Sequence, residues 1–302
     1  MRFRNAILLS WRGRQLSAAM DVARAQGQLE AAASQAPARI TYVVCTNPRS
    51  GSYLLCDGLA STKVAGRPRE WFNPLADELR RARWGLGPST PATDLDYLLF
   101  AKARSTTPNG VSGIKLHYSQ FVTLCQNLVQ IEGFEDLGEA ELMAHAFPNL
   151  RYIFLTRRNK DRQAISYFLA RETDEWVSPA SGPDPAQGLG PEMQVEPEEI
   201  ERLATMLSRS DAAWRSYFTA SRISPLEIFY EDLVADYRGE IVRVLDWLGI
   251  TDANSIEIPD PRLRQQSDAR NEHILERYAT YRKSQDSAAR QTTASDSQDM
   301  KM

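Results

Sequence analysis

The chain reads as an α/β protein: a central, mostly parallel sheet flanked by helices, entered through a strand–loop–helix unit suited to phosphate. Three observations predict this. Apolar, β-branched runs at 41–44, 151–156 and 225–229 are each followed by a helical pattern, and that alternation lays parallel strands beneath crossover helices. The first run leads into a tight polar loop, Asn47-Pro48-Arg49-Ser50-Gly51-Ser52, and then into Leu54, Leu55 and Leu59 at helical spacing. The composition is globular: 302 residues, 42% hydrophobic and 25% charged, with a net charge of −3. That is enough chain for one large domain, and the charge excludes a general nucleic-acid binder.

Residues 1–38 read as an extension. Its first part holds Arg2, Arg4, Arg12 and Arg14 and no acid up to Met20. Residues 1–20 are therefore either a lead-in to the domain or a basic amphipathic helix that rests on anionic lipid. Ala6–Leu9 is too short for a signal-peptide core, and no apolar run approaches the roughly 20 residues of a membrane span. The domain proper covers 39–285, and 286–302 have the composition of a disordered tail. Cys45, Cys56 and Cys125 are scattered, without zinc or disulfide spacing. That points to a reducing, cytoplasmic compartment, at the inner face of the membrane if the N-terminus binds lipid.

The loop after the first strand is where chemistry concentrates. Its small residues let backbone N–H groups face a concavity, and the helix that follows adds unpaired donors and its positive dipole end. It lacks the Gly-Lys-[Ser/Thr] of a Walker A loop. Its cation is Arg49, whose forked guanidinium grips an oxyanion. A strand, a turn and a serine cap explain the same residues structurally. In Val64–Leu75, Gly66, Pro68 and Pro74 forbid a continuous helix. Glu70, beside Trp71 and Phe72, is there either a general base or a surface glutamate.

Acids first and arginines last make 76–83 a solvated helix, and 94–104 is amphipathic. Asn109-Gly110 is a turn, and 111–118 a strand whose end exposes Lys115 and His117 on one face. Helices follow at 118–129 and 139–147. After the second unit's strand, Arg157, Arg158, Lys160 and Arg162 crowd a helix start. The macrodipole disfavours each of them by a few tenths to ~1 kcal/mol. A bound anion resolves that conflict; a solvated basic turn with Asp161 as partial cap is the other reading.

Residues 173–197 are rich in Pro, Gly and Ser and read as a lid, a binding loop or a disordered stretch, with Trp176 a sugar-stacking platform or a core residue. The stripe Ile200, Leu203, Leu207, Trp214 and Phe218 makes 197–218 a core helix. The third strand turns at Tyr230-Glu231-Asp232-Leu233 into a helix running to about Gly249. A last helix runs to about Lys283.

Together these pieces resemble the sulfotransferases that use 3′-phosphoadenosine-5′-phosphosulfate (PAPS), closest to the bacterial trehalose 2-sulfotransferase family. The resemblance spans 38–283. It rests on Pro48-Arg49-Ser50-Gly51-Ser52, Gly66-Arg67-Pro68-Arg69-Glu70, Gly113-Ile114-Lys115-Leu116, Thr156-Arg157-Arg158 through Gln163-Ala164-Ile165-Ser166, and Tyr230-Glu231-Asp232-Leu233. It implies a P-loop-like sulfotransferase fold and PAPS as co-substrate, with no metal. It implies that Arg49, Ser50, Gly51, Ser52 and Tyr53 hold the 5′-phosphosulfate, and that Arg158 with Ser166 holds the 3′-phosphate. Glu70 would be the base. Catalysis of this type is positioning plus charge stabilisation on the leaving phosphate, a task for Arg49, the loop amides and Lys115.

The chain departs from the pattern at Tyr53, where Thr or Ser is usual, and at Arg67, where the trehalose enzymes carry an acid. The expected acceptor is a hydroxyl of a carbohydrate or glycolipid. Arg67 and Arg69 flanking Glu70 would favour one that already bears negative charge. Two other readings stand beside this one. A nucleotide-dependent small-molecule kinase is disfavoured by the missing loop lysine and by the lack of an evident Mg²⁺ carboxylate after a strand. A non-catalytic nucleotide-binding protein would leave Glu70 without a purpose. His117 is the rival base, and a homodimer is among the assemblies open to such a chain.

Overall fold

The structure, a computed structural model, describes residues 38–86, 89, 91–176, 195–261 and 271–285. The expected N-terminal extension and C-terminal tail, and most of the 173–197 loop and the polar stretch 262–271, lie outside them. Four strands form one parallel sheet in the order β2-β1-β3-β4: β1 (Ile40–Thr46), β2 (Val111–His117), β3 (Leu150–Thr156) and β4 (Leu226–Phe229). β1 lies between the strand that follows it and the one after that, so the connections leave it in opposite directions. In open parallel sheets, ligands bind at the carboxyl ends of strands at such a switch point.

The helices are α1 (Ser52–Ser61), α2 (Asp77–Trp84), α3 (Pro91–Ser105), α4 (Tyr118–Leu128), α5 (Glu139–Ala146), α6 (Lys160–Thr173), α7 (Pro197–Ala220), α8 (Tyr230–Ala235), α9 (Tyr237–Trp247) and α10 (271–285). The single helix expected over 230–249 is two, because Asp236 ends α8 and its side chain caps α9 by accepting from Gly239 N at 2.9 Å.

Strand alternation sorts the core. Val43, Cys45, Ile114, Leu116 and Phe154 face Phe121 of α4 and Trp214 and Phe218 of α7. Tyr42, Val44, Ile153, Leu155 and Ile228 face Leu55 and Leu59 of α1 and Ile241 and Val244 of α9. Both faces are covered, as a parallel sheet requires.

Two features hold the ends of β1 and β3 together. Trp214 Nε1 donates to Thr46 O at 3.1 Å. One turn earlier on α7, the buried Asp211 accepts from Asn47 Nδ2 at 2.6 Å and Thr156 Oγ1 at 2.5 Å, and pairs with Lys160. One carboxylate thus joins the start of the loop, the end of β3 and the first turn of α6. Asp211→Ala removes the acceptor of two buried donors, Asn47 Nδ2 and Thr156 Oγ1, and the ion partner of Lys160. It should lower unfolding free energy by about 2–4 kcal/mol, read as a fall in urea midpoint; an unchanged midpoint would contradict this role.

Candidate active site

The loop after β1 makes its turn with Arg49 at φ 62° and Gly51 at φ 83°. A Cβ on Gly51 would stand 2.5 Å from the Tyr230 ring, so glycine is required on two counts. Ser50 is fully buried. Its hydroxyl donates to Asn47 O at 2.9 Å and accepts from Thr46 Oγ1, which also lies 2.9 Å from Leu155 O. The Ser50 side chain therefore braces the loop from beneath, while Arg49, Gly51, Ser52 and Tyr53 line a cavity of about 970 Å³.

Gly66 brings the candidate base to that cavity. It has φ 72°, and a Cβ there would lie 2.5 Å from Gly113 N, so the segment before Glu70 runs against β2 with no room for a side chain. A single parallel bridge joins Arg69 to Ile114, and Lys115 N donates to Arg69 O at 2.9 Å. Glu70 is thereby set beside Lys115. Their side chains pair at 2.7 Å, with Lys115 2% exposed and Glu70 13%. The exposed Lys115 expected at the strand end is thus buried: it points inward because Glu70, 45 residues away, neutralises it.

The Glu70 carboxylate accepts four donors. Oε1 takes Lys115 Nζ and, at 3.4 Å, the Tyr53 hydroxyl; Oε2 takes Asn73 Nδ2 and Gln120 Nε2, both at 2.8 Å. Burial raises its pKa, but the Lys115 and His117 charges and the hydrogen bonds from Lys115 and Gln120 outweigh that and bring it down to about 2. Tyr53, the residue that departs from the family, stacks its ring 3.8 Å below Lys115 Nζ. Burial and Glu70 push its phenol up to about 12. His117 lines the same cavity with Nε2 buried and unpartnered. Burial and Lys115 lower its pKa to about 4, so the imidazole is neutral at pH 7.

At the other end of the cavity, Arg49 Nε donates to Ser166 Oγ at 2.9 Å and Nη1 to Trp176 O at 2.5 Å. Burial and the neighbouring Arg157 bring its pKa down to about 10. Arg157 lies 4.5 Å from the Tyr230 ring, its Nε buried without a partner. Burial likewise lowers its pKa. Neither guanidinium has a carboxylate partner among the described residues.

The rest of the cation cluster behaves otherwise. Arg158 forms a bidentate pair with Asp232 at 2.7 Å, stands 49% exposed and does not line the cavity. Lys160 pairs with Asp211 and Arg162 with Glu272. The Glu231 carboxylate accepts from Arg158 N and Asn159 N at the start of α6. The N–H groups at that helix start thus already hold one of the protein's own carboxylates, and of the two adjacent arginines Arg157, not Arg158, lines the cavity, together with Arg162. Trp176 lies tilted against Tyr167, ring centroids 5.9 Å apart, and its carbonyl accepts from Arg49. Arg67 and Arg69 are exposed and do not line the cavity, and Arg67 donates to Arg104 O and Thr106 O. They therefore lend nothing to an acidic acceptor.

Among the described residues no helix is long and apolar enough to cross a membrane. The Stf0 sulphotransferase family model matches residues 41–281. Trehalose 2-sulfotransferase of Mycolicibacterium smegmatis is 29% identical over 264 residues, covering 78% of this chain and 93% of that protein. Trehalose 2-sulfotransferase of Mycobacterium tuberculosis is 27% identical over 257 residues, with the same coverage. A sulfotransferase structure from Alicyclobacillus acidocaldarius aligns with a TM-score of 0.39 and 14% identity, over 80% of this chain and 92% of that one. The sulfotransferase domain of the Synechococcus PCC 7002 olefin synthase aligns at 0.32 and 20%, over 81% and 96%. With the family model spanning the loop, the Glu70 segment and both α6 and α7, the chain belongs to the Stf0 sulphotransferase family.

Proposed function

We propose that the protein transfers the sulfuryl group of PAPS to a hydroxyl of a carbohydrate-bearing acceptor. The observation that carries this reading is the Glu70–Lys115 pair, which sits in the same cavity as the Arg49 loop. The acceptor oxygen attacks sulfur, the bond from sulfur to the 5′-phosphate oxygen breaks, and the hydroxyl proton passes to Glu70. Arg49, the loop amides and Lys115 face the charge that grows on the leaving phosphate. Arg157 and Ser166 are the best-placed groups for the 3′-phosphate. The sugar class rests on the two relatives, which are trehalose 2-sulfotransferases.

A carboxylate with a pKa of about 2 is a weak base. Bound donor would give Lys115 a second anion to attend, and each step of Lys115 away from Glu70 raises the carboxylate's basicity. The resting pair therefore holds Glu70 ionised and oriented until the donor is in place.

Glu70→Gln keeps the shape and removes the base. Turnover should fall by roughly 10²–10⁴ while affinity for the desulfated cofactor, PAP, is retained. His117 is the alternative that its neutral imidazole, with Nε2 buried and unpartnered, favours. Abolished turnover in His117→Ala, with Glu70→Gln still active, would move the base there.

Lys115→Met should raise the Glu70 pKa above its ordinary 4.5, since burial remains and the compensating charge is gone. Carboxyl NMR titration reads this directly. In the wild type the folded pKa is depressed, so Glu70's contribution to stability is present above about pH 4.5 and is lost as pH falls toward 2. A Glu70 titrating at 4.5 in both proteins would remove the electrostatic account.

Arg157→Ala should weaken PAP binding by ~10–100-fold, the worth of a charge-assisted bond. Arg158→Ala, which breaks an exposed pair, should stay within about 2-fold. Calorimetry giving the reverse order would return the 3′-phosphate to Arg158. Binding that follows ATP and magnesium instead would favour a kinase.

A further inference from the structure

The acceptor end of the site does not stop at Glu70. Beyond it the main cavity is walled by neutral groups, Asn73, Pro74, Leu75, Ser119 and Thr123. Asn73, Pro74 and Thr123 also line a second cavity of about 470 Å³ between α2, α3 and α4. Its floor is apolar: Phe72, Tyr97, Leu98, Leu124, Leu128 and Ile131, of which all but Phe72 are buried. Its charged lining among the described residues is Arg81, paired with Asp77 at 2.8 Å and with Asp94, and the exposed Glu78. Those acids leave no place for an anionic group. On the outer rim, the turn Pro74–Ala76 and α2 carry Leu75 and Leu79, 94% and 76% exposed. Apolar surface at the rim, with an apolar hollow sharing a wall with the reaction cavity, fits one uncharged ligand reaching across that wall.

We propose that the acceptor carries an uncharged apolar arm, an alkyl or acyl chain joined to the hydroxyl-bearing head, and that this arm occupies the second cavity. The proposal rests on the sulfuryl-transfer reading only for where the reacting hydroxyl sits. It replaces the acidic acceptor that Arg67 and Arg69 suggested, since those side chains face away. A sugar without such an arm would leave the apolar floor unused, whereas an amphiphile fills both cavities.

The test is calorimetric titration of the enzyme–PAP complex with methyl, hexyl and octyl β-glucoside below their micellar concentrations. Each methylene buried is worth about fourfold in affinity at most. We expect octyl glucoside to bind on the order of 30-fold tighter than methyl glucoside or better, with part of the chain remaining in solvent. Ala82 and Asn127 are exposed residues that line the second cavity. Ala82→Trp and Asn127→Trp fill it from the surface and should cut the octyl-to-methyl ratio to within about threefold. A flat chain-length series in the wild type overturns the proposal. So does an octyl advantage that survives in both tryptophan variants, because the chain then binds elsewhere. PAP affinity, measured before any glucoside is added, reports separately on the underlying reading. Its absence sinks sulfuryl transfer, while a flat series with PAP bound sinks only the apolar arm.

Discussion

The ion pair between Lys115 and Glu70 is the constraint from which the site follows. A lysine 2% exposed at the end of a sheet strand is tolerable only with a carboxylate against it. Glu70 comes from an irregular segment, and irregular segments do not hold a side chain in place by themselves. What holds this one is backbone. Gly66 lies against Gly113, the Arg69–Ile114 bridge follows, and Lys115 N donates to Arg69 O. The backbone of the cation's own strand thus positions the cation's partner. Asn73 of the same segment, Gln120 of α4 and Tyr53 of α1 then complete the carboxylate's hydrogen bonding. The carboxylate proposed as the base, the charge that tunes it and this wall of the cavity are one assembly.

The remaining cations divide by the same logic. Arg158, Lys160 and Arg162 each find a carboxylate within the protein, and Glu231 takes the N–H groups at the start of α6. Arg49 and Arg157 line the cavity without a carboxylate partner among the described residues, whereas Arg162 lines it paired with Glu272. Burial lowers the pKa of both Arg49 and Arg157, and Arg157 lowers that of Arg49 further. Two partly desolvated guanidiniums that share no acid among the described residues form a site that an anion stabilises. The cavity consequently has a cationic end at the loop and a neutral end beyond Glu70. A doubly phosphorylated donor and an uncharged acceptor would each meet the end that suits it.

Much of this was legible in the chain. Apolar, β-branched runs pointed to the strands, and the Asn47–Ser52 loop and the Gly66–Glu70 segment pointed to residues that the fold brings to one cavity. What was not legible depends on partners far away in sequence. Lys115 reads as an exposed strand-end residue until Glu70 is brought to it. Arg157 and Arg158 are adjacent and chemically identical. The choice between them is made by Glu231 and Asp232, which hold the Arg158 backbone and side chain from 73 and 74 residues away. The resemblance implies Arg158 with Ser166, whereas the side chain lining the cavity with Ser166 is that of Arg157. Tyr230-Glu231-Asp232-Leu233 was visible as a motif, but its three tasks were not: packing Gly51, capping α6 and turning Arg158 aside. Arg67 and Arg69 flank Glu70 in sequence, yet the extended backbone that delivers Glu70 inward sends its neighbours outward.

The depressed pKa of Glu70 gives this arrangement a direction. A carboxylate free to ionise normally at that position would be a better base at all times, including when no sulfuryl donor is present. Held at about 2 by Lys115, it gains strength only as Lys115 is drawn to another anion. In the reaction proposed here, the leaving phosphate would be the anion whose charge grows as transfer proceeds, and its pull on Lys115 would be strongest in the transition state. Leaving-group stabilisation and base activation then become one motion of one side chain, each supporting the other when both are needed. The pair that makes the buried lysine compatible with the fold is, on this view, also what couples the two ends of the reaction.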